Sequence, residues 1–284
     1  MKKPQFTILL ILSGLTMFGQ DIIMSDKLEK VWETPDVLKI CESVCYDAER
    51  DVLFVSCING NPTGKDGSGY IAQVSLEGEI INKKWVSGLD APKGMGIFNG
   101  KLYVTDIDNL VEIDINTAKI ENRFPVDGAK FLNDVTIDPK GDIYFSDMGT
   151  DLVHKLSNGK VEMFLDNPEI SNPNGVLYEN GDIVVGTKNG IFAVRISDGK
   201  MWHIVKKTGG IDGLKSDGNG SYIISDWKGK IQLVSTEEKP VILLDTSETG
   251  INAADIEYIE KTNLLLVPTF GANRVMAYKV LDFK

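Results

Sequence analysis

The chain has 284 residues, of which 42% are hydrophobic and 25% charged, a soluble globular composition with enough apolar material for a core. The formal charge of −11 argues against a partner such as nucleic acid or an anionic membrane surface, because acidic surfaces repel phosphate groups. With two histidines and three cysteines, zinc sites rich in imidazole or thiolate are disfavoured, and few Ser-His-Asp triads are possible.

The N-terminus predicts a signal peptide over residues 1–20. Two lysines precede an apolar run of about 12 residues, and Gly19 lies near its end. This run is short for a membrane span, and no other stretch approaches 18 apolar residues. We therefore expect an exported protein, periplasmic or secreted, without a membrane span in its mature part at 21–284. Because residues 1–20 contain two lysines and no acid, the mature charge is −13.

The three cysteines fall in the first predicted strands, at Cys41, Cys45 and Cys57. Their odd number does not indicate a disulfide framework. If 41–46 and 52–57 form a hairpin, Cys41 and Cys57 lie opposite each other. A disulfide between them is one interpretation, and buried free thiols are the plainer one.

Short β-rich segments then repeat along the chain. The aligned segments are Val52–Cys57, Lys101–Asp106, Asp142–Asp147, Asp182–Thr187, Ser221–Asp226 and Leu264–Thr269, with starting points 39 to 49 residues apart. A period near 40 is typical of four-stranded propeller blades. The first interval is the longest because of a Gly- and Asn-rich insert at Asn59–Gly69.

A turn signal such as Glu179-Asn-Gly181 precedes each aligned segment and separates it, as the second strand, from an innermost first strand. A third strand follows in all six repeats, and a fourth follows in five of them. The last repeat lacks its fourth strand, and Leu28–Glu33 resembles the missing one, so we expect residues 28–34 to pair with 274–280. The predicted fold is all-β, a single six-bladed β-propeller with four-stranded blades closed by the N-terminal strand. We expect Trp85 and Trp202 to pack between blades, and Trp227 either to do the same or to edge a pocket.

A polar residue lies nine to eleven positions before the aligned point of every repeat. These six positions, here called the channel ring, are Glu42, Lys93, Asn133, Asn174, Asp212 and Asp255. Each is expected to begin the innermost strand of a blade, and innermost strands surround the central channel. We therefore expect the six side chains to converge at one mouth of the channel, either as a site or as a water-bridged polar filling.

The residues around the channel ring carry a family resemblance. Four segments, Cys41–Asp47, Phe131–Asp134, Ile170–Val176 and Gly210–Gly213, resemble motifs of the senescence marker protein/gluconolactonase (regucalcin-like) family in their order and spacing. The resemblance spans essentially the whole mature chain. It implies that Glu42, Asn174 and Asp212 hold a divalent cation, and that Asn133 contacts the substrate or a metal-bound water.

The residue chemistry agrees with that implication. Two carboxylates and two amides, at Glu42, Asn133, Asn174 and Asp212, provide an all-oxygen ligand set. Such a set suits a hard divalent cation, with Ca²⁺ expected and Mg²⁺, Mn²⁺ or Zn²⁺ as alternatives. We therefore expect a metal-dependent hydrolase of lactones or related small esters. We expect it to be a monomer whose partner is a small-molecule substrate. Asp212 is a candidate base, in competition with its ligand role, and Asp255 is a second one.

Two positions depart from the family pattern. Phe131 replaces a basic residue two positions before Asn133, and Lys93 occupies the channel ring. Lys93 can either pair with Glu42 and compete with the cation, or face the substrate and bind a carboxylate or developing oxyanion. The segment from Asp255 to Val275 also looks like NHL-type propeller repeats. The alternative function is therefore a non-catalytic propeller that binds a ligand or a protein.

Overall fold

The computed structural model describes residues 22–281, so the predicted signal peptide lies outside the described residues. The described chain forms six antiparallel sheets with four or five strands, arranged as the blades of a propeller. From the channel outward, the strands of the first three blades are Cys41–Asp47, Val52–Cys57, Gly69–Ser75 and Ile80–Leu89; Pro92–Phe98, Lys101–Asp106, Asn109–Asp114 and Lys119–Pro125; Leu132–Ile137, Ile143–Asp147, Leu152–Ser157 and Lys160–Asp166.

The other three blades continue the same order. Their strands are Val176–Glu179, Asp182–Thr187, Gly190–Arg195 and Met201–Lys206; Leu214–Ser216, Tyr222–Asp226, Lys230–Val234 and Val241–Asp245; Glu257–Ile259, Leu264–Pro268, Val275–Val280 and, from the N-terminus, Leu28–Glu33. The described residues also include two short 3₁₀ helices, Ser247–Thr249 and Glu260–Thr262. The all-β, six-bladed propeller predicted from the repeats is confirmed.

Asn-Gly pairs close the predicted tight hairpins. Asn99-Gly100, Asn158-Gly159 and Asn180-Gly181 each join two strands directly, and all six residues have positive φ. A two-residue turn of this kind requires left-handed backbone at both positions, which asparagine and glycine adopt at low energy. These local signals therefore specify where each blade folds back on itself.

The core lies between neighbouring blades rather than inside any one of them. In the layer between blades 1 and 2, Phe54 and Leu102 are fully buried, and the ring of Trp85 packs 4.5 Å from that of Phe54. Cys41 and Cys57 lie opposite each other, as predicted. All three cysteines are buried free thiols, and burial raises the pKa of Cys41 to about 11.

The N-terminal segment closes the ring. Leu28–Glu33 pairs antiparallel with Val275–Val280, which confirms the predicted closure, and Leu28 enters the core at 4% exposure. Just before it, Ile23–Met24 adds a fifth strand to blade 5 by pairing with Leu244 and Asp245. This short strand had no sequence signal. Within residues 22–281 no helix has the length and apolar character needed to cross a bilayer.

Candidate functional site

The propeller brings the channel ring together at one mouth of the channel. Glu42, Lys93 and Asn133 lie on the innermost strands of blades 1 to 3, and the other three residues lie two positions before the innermost strands of blades 4 to 6. All six are at most 7% exposed. Five of them, all except Asp255, line one cavity of about 450 Å³, a volume that suits a small molecule.

Aspartate carboxylates at the ends of the second strands of blades 2 and 3 accept hydrogen bonds from the loops that precede Lys93 and Asn133. The Asp147 carboxylate accepts hydrogen bonds from the backbone N–H groups of Lys130 and Phe131, at 3.0 and 2.9 Å. In blade 2, Asp106 accepts from the N–H groups of Asp90 and Ala91 in the same way. The Thr-Asp and Ser-Asp pairs of the sequence repeats thus orient the backbone immediately before the channel ring.

Hydroxyl groups one position earlier tie neighbouring blades together. Ser146 Oγ accepts from the N–H of Asp134 in its own blade and donates to the carbonyl of Asn174 in the next, at 3.0 and 2.8 Å. Ser225 Oγ bridges Gly213 and Ala254 with the same pattern. Each hydroxyl therefore sets the distance between two successive members of the channel ring.

Glycines follow three members of the ring, because the innermost strands approach closely there. A Cβ at Gly213 would lie 2.5 Å from the Ile256 nitrogen and 3.0 Å from Asp255 Oδ1. A Cβ at Gly175 would lie 2.8 Å from the Asp212 carbonyl oxygen. Backbone atoms cannot yield to such contacts, so a side chain at either position would push apart the residues of the site.

Several oxygens of the ring are buried without a hydrogen-bond partner among the described residues. Three of them belong to residues that, together with Asp212, are here called the cavity floor: Glu42 Oε2, Asn133 Oδ1 and Asn174 Oδ1. The fourth is Asp255 Oδ1. Asn174 Nδ2 donates to Asp212 Oδ1 at 2.9 Å, which leaves the amide oxygen of Asn174 unpaired. An unpaired buried oxygen costs roughly 1–3 kcal/mol, so three of them at one cavity suit a ligand that supplies hydrogen-bond donors or a positive charge.

The carboxylates of the floor resist ionisation in the absence of a cation. Burial, and then the charges of Asp212 and Asp255, raise the pKa of Glu42 well above its ordinary value. Burial and the charge of Asp255 raise the pKa of Asp212 to about 8, against the hydrogen bond from Asn174. A bound cation would reverse both shifts, because it stabilises the ionised form.

The donor set is compatible with a hard cation but is not rich in charge. In the described part of the chain, no three His, Cys, Asp or Glu side chains come together as a metal-binding group. The candidate set therefore depends on the amide oxygens of Asn133 and Asn174 for half of its side-chain ligands. Ca²⁺ accepts amide oxygens and water alongside carboxylates, so the residues fit such an ion.

Lys93 is a buried ammonium in the wall of the cavity. Its Nζ donates to the carbonyls of Ala91 and Pro62, at 3.0 and 3.1 Å, and lies 4.5 Å from the centre of the Phe131 ring. No described carboxylate forms an ion pair with it, although Glu42 is close enough to act on its pKa. Burial lowers that pKa, and the charges of Glu42 and Asp106 oppose the change.

Asp255 lies behind the cavity floor, in a cluster that the sequence did not reveal. Ser43 Oγ donates to Asp255 Oδ2 at 2.6 Å, and burial raises the pKa of Asp255 to about 6.

The neighbouring carboxylate of Asp134 accepts from the N–H groups of Val135 and Val176, both at 2.7 Å. Lys215, whose Nζ is 3.8 Å from Glu257, supplies a positive charge to this cluster. The signal that could have found Asp134 is its place directly after Asn133.

The rim of the cavity includes Trp227, which is 48% exposed. The position at the edge of the pocket is therefore confirmed, and Trp227 also contacts a residue of blade 6, so the two interpretations given to it do not exclude each other. Its ring meets that of Phe270 at a centroid distance of 5.5 Å and an angle of 76°. Phe270 and Ile58 were not recognised as pocket residues from the sequence, because each lies in a loop without a motif.

Comparisons with known proteins give structural neighbours only. No family model and no curated protein sequence matches the chain. A gluconolactonase from Xanthomonas campestris superposes with a TM-score of 0.64 at 14% identity, over 89% of both chains. An inactive virginiamycin B lyase from Staphylococcus aureus, solved with quinupristin, gives 0.61 at 12% identity, over 91% of this chain and 99% of the other. The WD40 propeller domain of Doa1 gives 0.61 at 13% identity, over 84% and 78%. At these identities the likenesses establish the propeller fold.

Proposed function

We propose that the protein is a metal-dependent hydrolase of lactones or related small esters. One observation carries the proposal: Glu42, Asn133 and Asn174 direct unpaired buried oxygens to the floor of a cavity that also contains the carboxylate of Asp212. A single cation would satisfy these oxygens together, and all three residues line the small-molecule cavity. The gluconolactonase among the structural neighbours supports the proposal at the level of fold.

The four floor residues would hold the cation, with Ca²⁺ as the expected ion and Mg²⁺, Mn²⁺ or Zn²⁺ as alternatives. When bound, a divalent cation polarises a carbonyl and lowers the pKa of water. The chain's own part is to exclude solvent, orient the carbonyl and accept a proton. Asp212 is the first candidate for proton acceptance because it faces the cavity, whereas Asp255 lies behind the floor.

Asn133 and Lys93 are the proposed substrate-binding residues. Two of the three ammonium donors of Lys93 are engaged by carbonyls, which leaves one for an oxygen of the substrate. The side chain of its neighbour Phe131 cannot form a hydrogen bond, so Lys93 supplies the positive charge that the family pattern places at that position. We further propose export to the periplasm or the medium, on the basis of the sequence at 1–20.

A second candidate is a non-catalytic propeller that binds a ligand or a protein on its channel face. The described chain favours it in one respect, since no three charged or imidazole ligands gather around a common point. Metal content separates the two functions, because only the hydrolase needs a cation on the floor.

The test combines elemental analysis of the purified protein with a lactone panel assayed under added Ca²⁺, Mn²⁺ and Zn²⁺. We expect one tightly held cation per chain and hydrolysis that EDTA abolishes. Glu42→Gln removes a charge but keeps the shape of the side chain, so it should lose both the ion and the activity. Glu162→Gln, the same change at an exposed position on the outermost strand of blade 3, is the matched control and should keep both. A metal-free protein that hydrolyses no lactone would contradict the proposal and favour the second candidate.

A further inference from the structure

One side of the cavity is a continuous apolar surface contributed by blades 5, 6 and 1. It consists of Trp227, Phe270 and Ile58 and is here called the apolar wall. Trp227 packs edge-on against Phe270, and Phe270 packs against the buried cluster that contains Ile58. The wall thus extends from a half-exposed indole at the rim to a fully buried isoleucine at its base.

The backbone beneath the wall is held in an unusual conformation. Ile40, Ile107 and Phe270 have φ values of 53°, 62° and 47°, in the left-handed region that bulky residues seldom adopt. All three belong to the cluster around Ile58. Hydrogen bonds hold them there, since the carbonyls of Ile40 and Ile107 accept from Ile58 and Leu132 and the N–H of Phe270 donates to Cys41, each at 3.0 Å.

This conformation has a consequence for the surface that faces the cavity. Most other left-handed positions outside glycine in the described chain are asparagine or aspartate, which adopt such a backbone readily. Of the three, Phe270 lines the cavity, and Ile40 and Ile107 pack in the cluster behind it. An apolar side chain therefore occupies the cavity-facing position where a polar turn residue would be easier to accommodate. Strained positions of this kind concentrate at ligand sites.

The wall and the floor differ in the ligand groups that they can satisfy. The floor has unpaired oxygens and the ammonium of Lys93, whereas the side chains of Phe270 and Ile58 have no hydrogen-bonding group. A polyhydroxylated ring against this surface would bury hydroxyl groups without partners, which is unfavourable. An alkyl or aryl group in the same place would bury apolar surface, which is favourable.

We propose that the substrate is a lactone or small ester with an apolar alkyl or aryl substituent, which lies against Trp227 and Phe270 while its carbonyl faces the floor. This inference rests on the proposed hydrolase function and specifies its substrate class. Polyhydroxylated sugar lactones are then poor substrates, even though the ring itself fits the cavity.

The experiment compares kcat/KM for δ-valerolactone, its 6-propyl and 6-hexyl derivatives and glucono-δ-lactone, with saturating Ca²⁺. We expect kcat/KM to rise about two- to fourfold for each methylene that reaches the wall. The hexyl derivative should exceed glucono-δ-lactone by about 100-fold or more. Trp227→Ala should lower the ratio between the hexyl and unsubstituted lactones about tenfold, and Trp227→Phe should lower it less. Met163→Ala, an equally exposed apolar position outside the cavity, is the control and should leave the ratio unchanged.

A binding measurement separates failure of this inference from failure of the hydrolase proposal. The probe is 6-hexyl-2-piperidinone, a lactam that resists hydrolysis, followed by tryptophan fluorescence in the parent protein and in Trp227→Phe. If the lactam binds at Trp227 but no lactone is hydrolysed, the hydrolase proposal is wrong and the apolar site stands. If glucono-δ-lactone is hydrolysed as well as the hexyl lactone, and Trp227→Ala does not change the ratio, the hydrolase stands and this inference is wrong.

Discussion

Glu42 and Asp212 are the two carboxylates that face the cavity floor, and neither is compensated by an ion pair in the described chain. A buried unpaired carboxylate is unfavourable when ionised, so each keeps its proton to higher pH than usual. Asn174 stabilises only one oxygen of this pair, through its bond to Asp212. The residues of the floor are therefore poorly satisfied by the protein itself, and a cation would satisfy them.

The first prediction concerns Asp212→Ala. The substitution removes one ligand and one of the two negative charges, so affinity for Ca²⁺ should fall about 100-fold or more. Hydrolysis should be lost together with the ion. Isothermal titration calorimetry with Ca²⁺ gives the affinity, and Asp166→Ala, at an exposed position on the outermost strand of blade 3, should titrate like the parent. An unchanged dissociation constant in Asp212→Ala would remove Asp212 from the ligand set.

The second prediction concerns Lys93→Met, which keeps the stem of the side chain and deletes its charge. Because the ammonium is held by Ala91 and Pro62 and forms no ion pair with Glu42, but its charge still acts on that carboxyl, Ca²⁺ affinity should rise by no more than about tenfold. The value of kcat/KM should fall about 10- to 100-fold, since the donor to the substrate is lost. Tighter Ca²⁺ binding with full activity would instead assign Lys93 to competition with the cation. If neither quantity changes, both roles are wrong.

At the scale of elements, the second strands of blades 2, 3 and 5 position the residues of the site through hydrogen bonds to the neighbouring backbone. Ser146 sets the spacing of blades 3 and 4, and Asp147 fixes the loop before Asn133. Burial alone would raise the pKa of Asp147, but the side chains of His154 and Thr150 and the N–H groups of Phe131 and Lys130 lower it to about 2. The loop contact therefore persists at every pH at which the protein would normally work.

The third prediction concerns the strand that closes the ring. Deleting residues 21–36 removes both N-terminal strands, exposes the edge of Val275–Val280 and uncovers the core around Leu28. The melting temperature should fall by more than about 10 °C, or the protein should aggregate. Deleting only residues 21–25 removes the fifth strand of blade 5 and keeps the closing strand, so its effect should be much smaller. Equal melting temperatures for the parent and the longer deletion would contradict closure as a stabilising device.

At the scale of the whole molecule, the channel gathers negative charge contributed by most blades. Glu42, Asp134, Asp212 and Asp255 come from blades 1, 3, 5 and 6, and the pKa of each is raised first by burial. Lys93 and Lys215 offset this charge in part. The stability of the closed ring is therefore linked to the protonation of its centre and to any cation bound there.

The fourth prediction follows from that linkage. The pKa of Asp212 is raised from 3.8 to about 8, so between these values the folded state holds a proton that the unfolded state has released. Stability without metal should thus fall as the pH rises from about 4 to about 8. Ca²⁺ displaces this proton, so its stabilising effect should be larger at pH 8 than at pH 5. At 100 times the dissociation constant we expect a rise of about 5–10 °C in melting temperature at pH 8.

Differential scanning calorimetry in EDTA and in Ca²⁺ measures both effects. The variant Glu42→Gln serves as the control, because it should show the smaller Ca²⁺ shift at both pH values. A Ca²⁺ shift of the same size at pH 5 and pH 8 would contradict the assignment of the protonated floor as the binding site.

The sequence by itself determined the propeller, because the information for a blade is local. Alternating strands, the Asn-Gly turns and a recurrence near 40 residues specify one hairpin after another, and the unpaired last strand at 275–280 specified its N-terminal partner. The channel ring was predictable for the same reason. A fixed offset from each repeat places six residues at equivalent points, and rotational symmetry then brings them to one mouth.

Only the tertiary structure decided what those residues meet, since contacts between blades have no local pattern. Pro62 in the first-blade insert reaches Lys93, and Phe270 from the last blade meets Ile58 from the first, across more than 200 residues of sequence. Equivalent sequence positions also proved unequal, because Asp255 turns behind the floor while Asp212 faces the cavity. The repeat specifies the position of each residue on its blade, and the packing of the closed ring decides which atoms its side chain contacts.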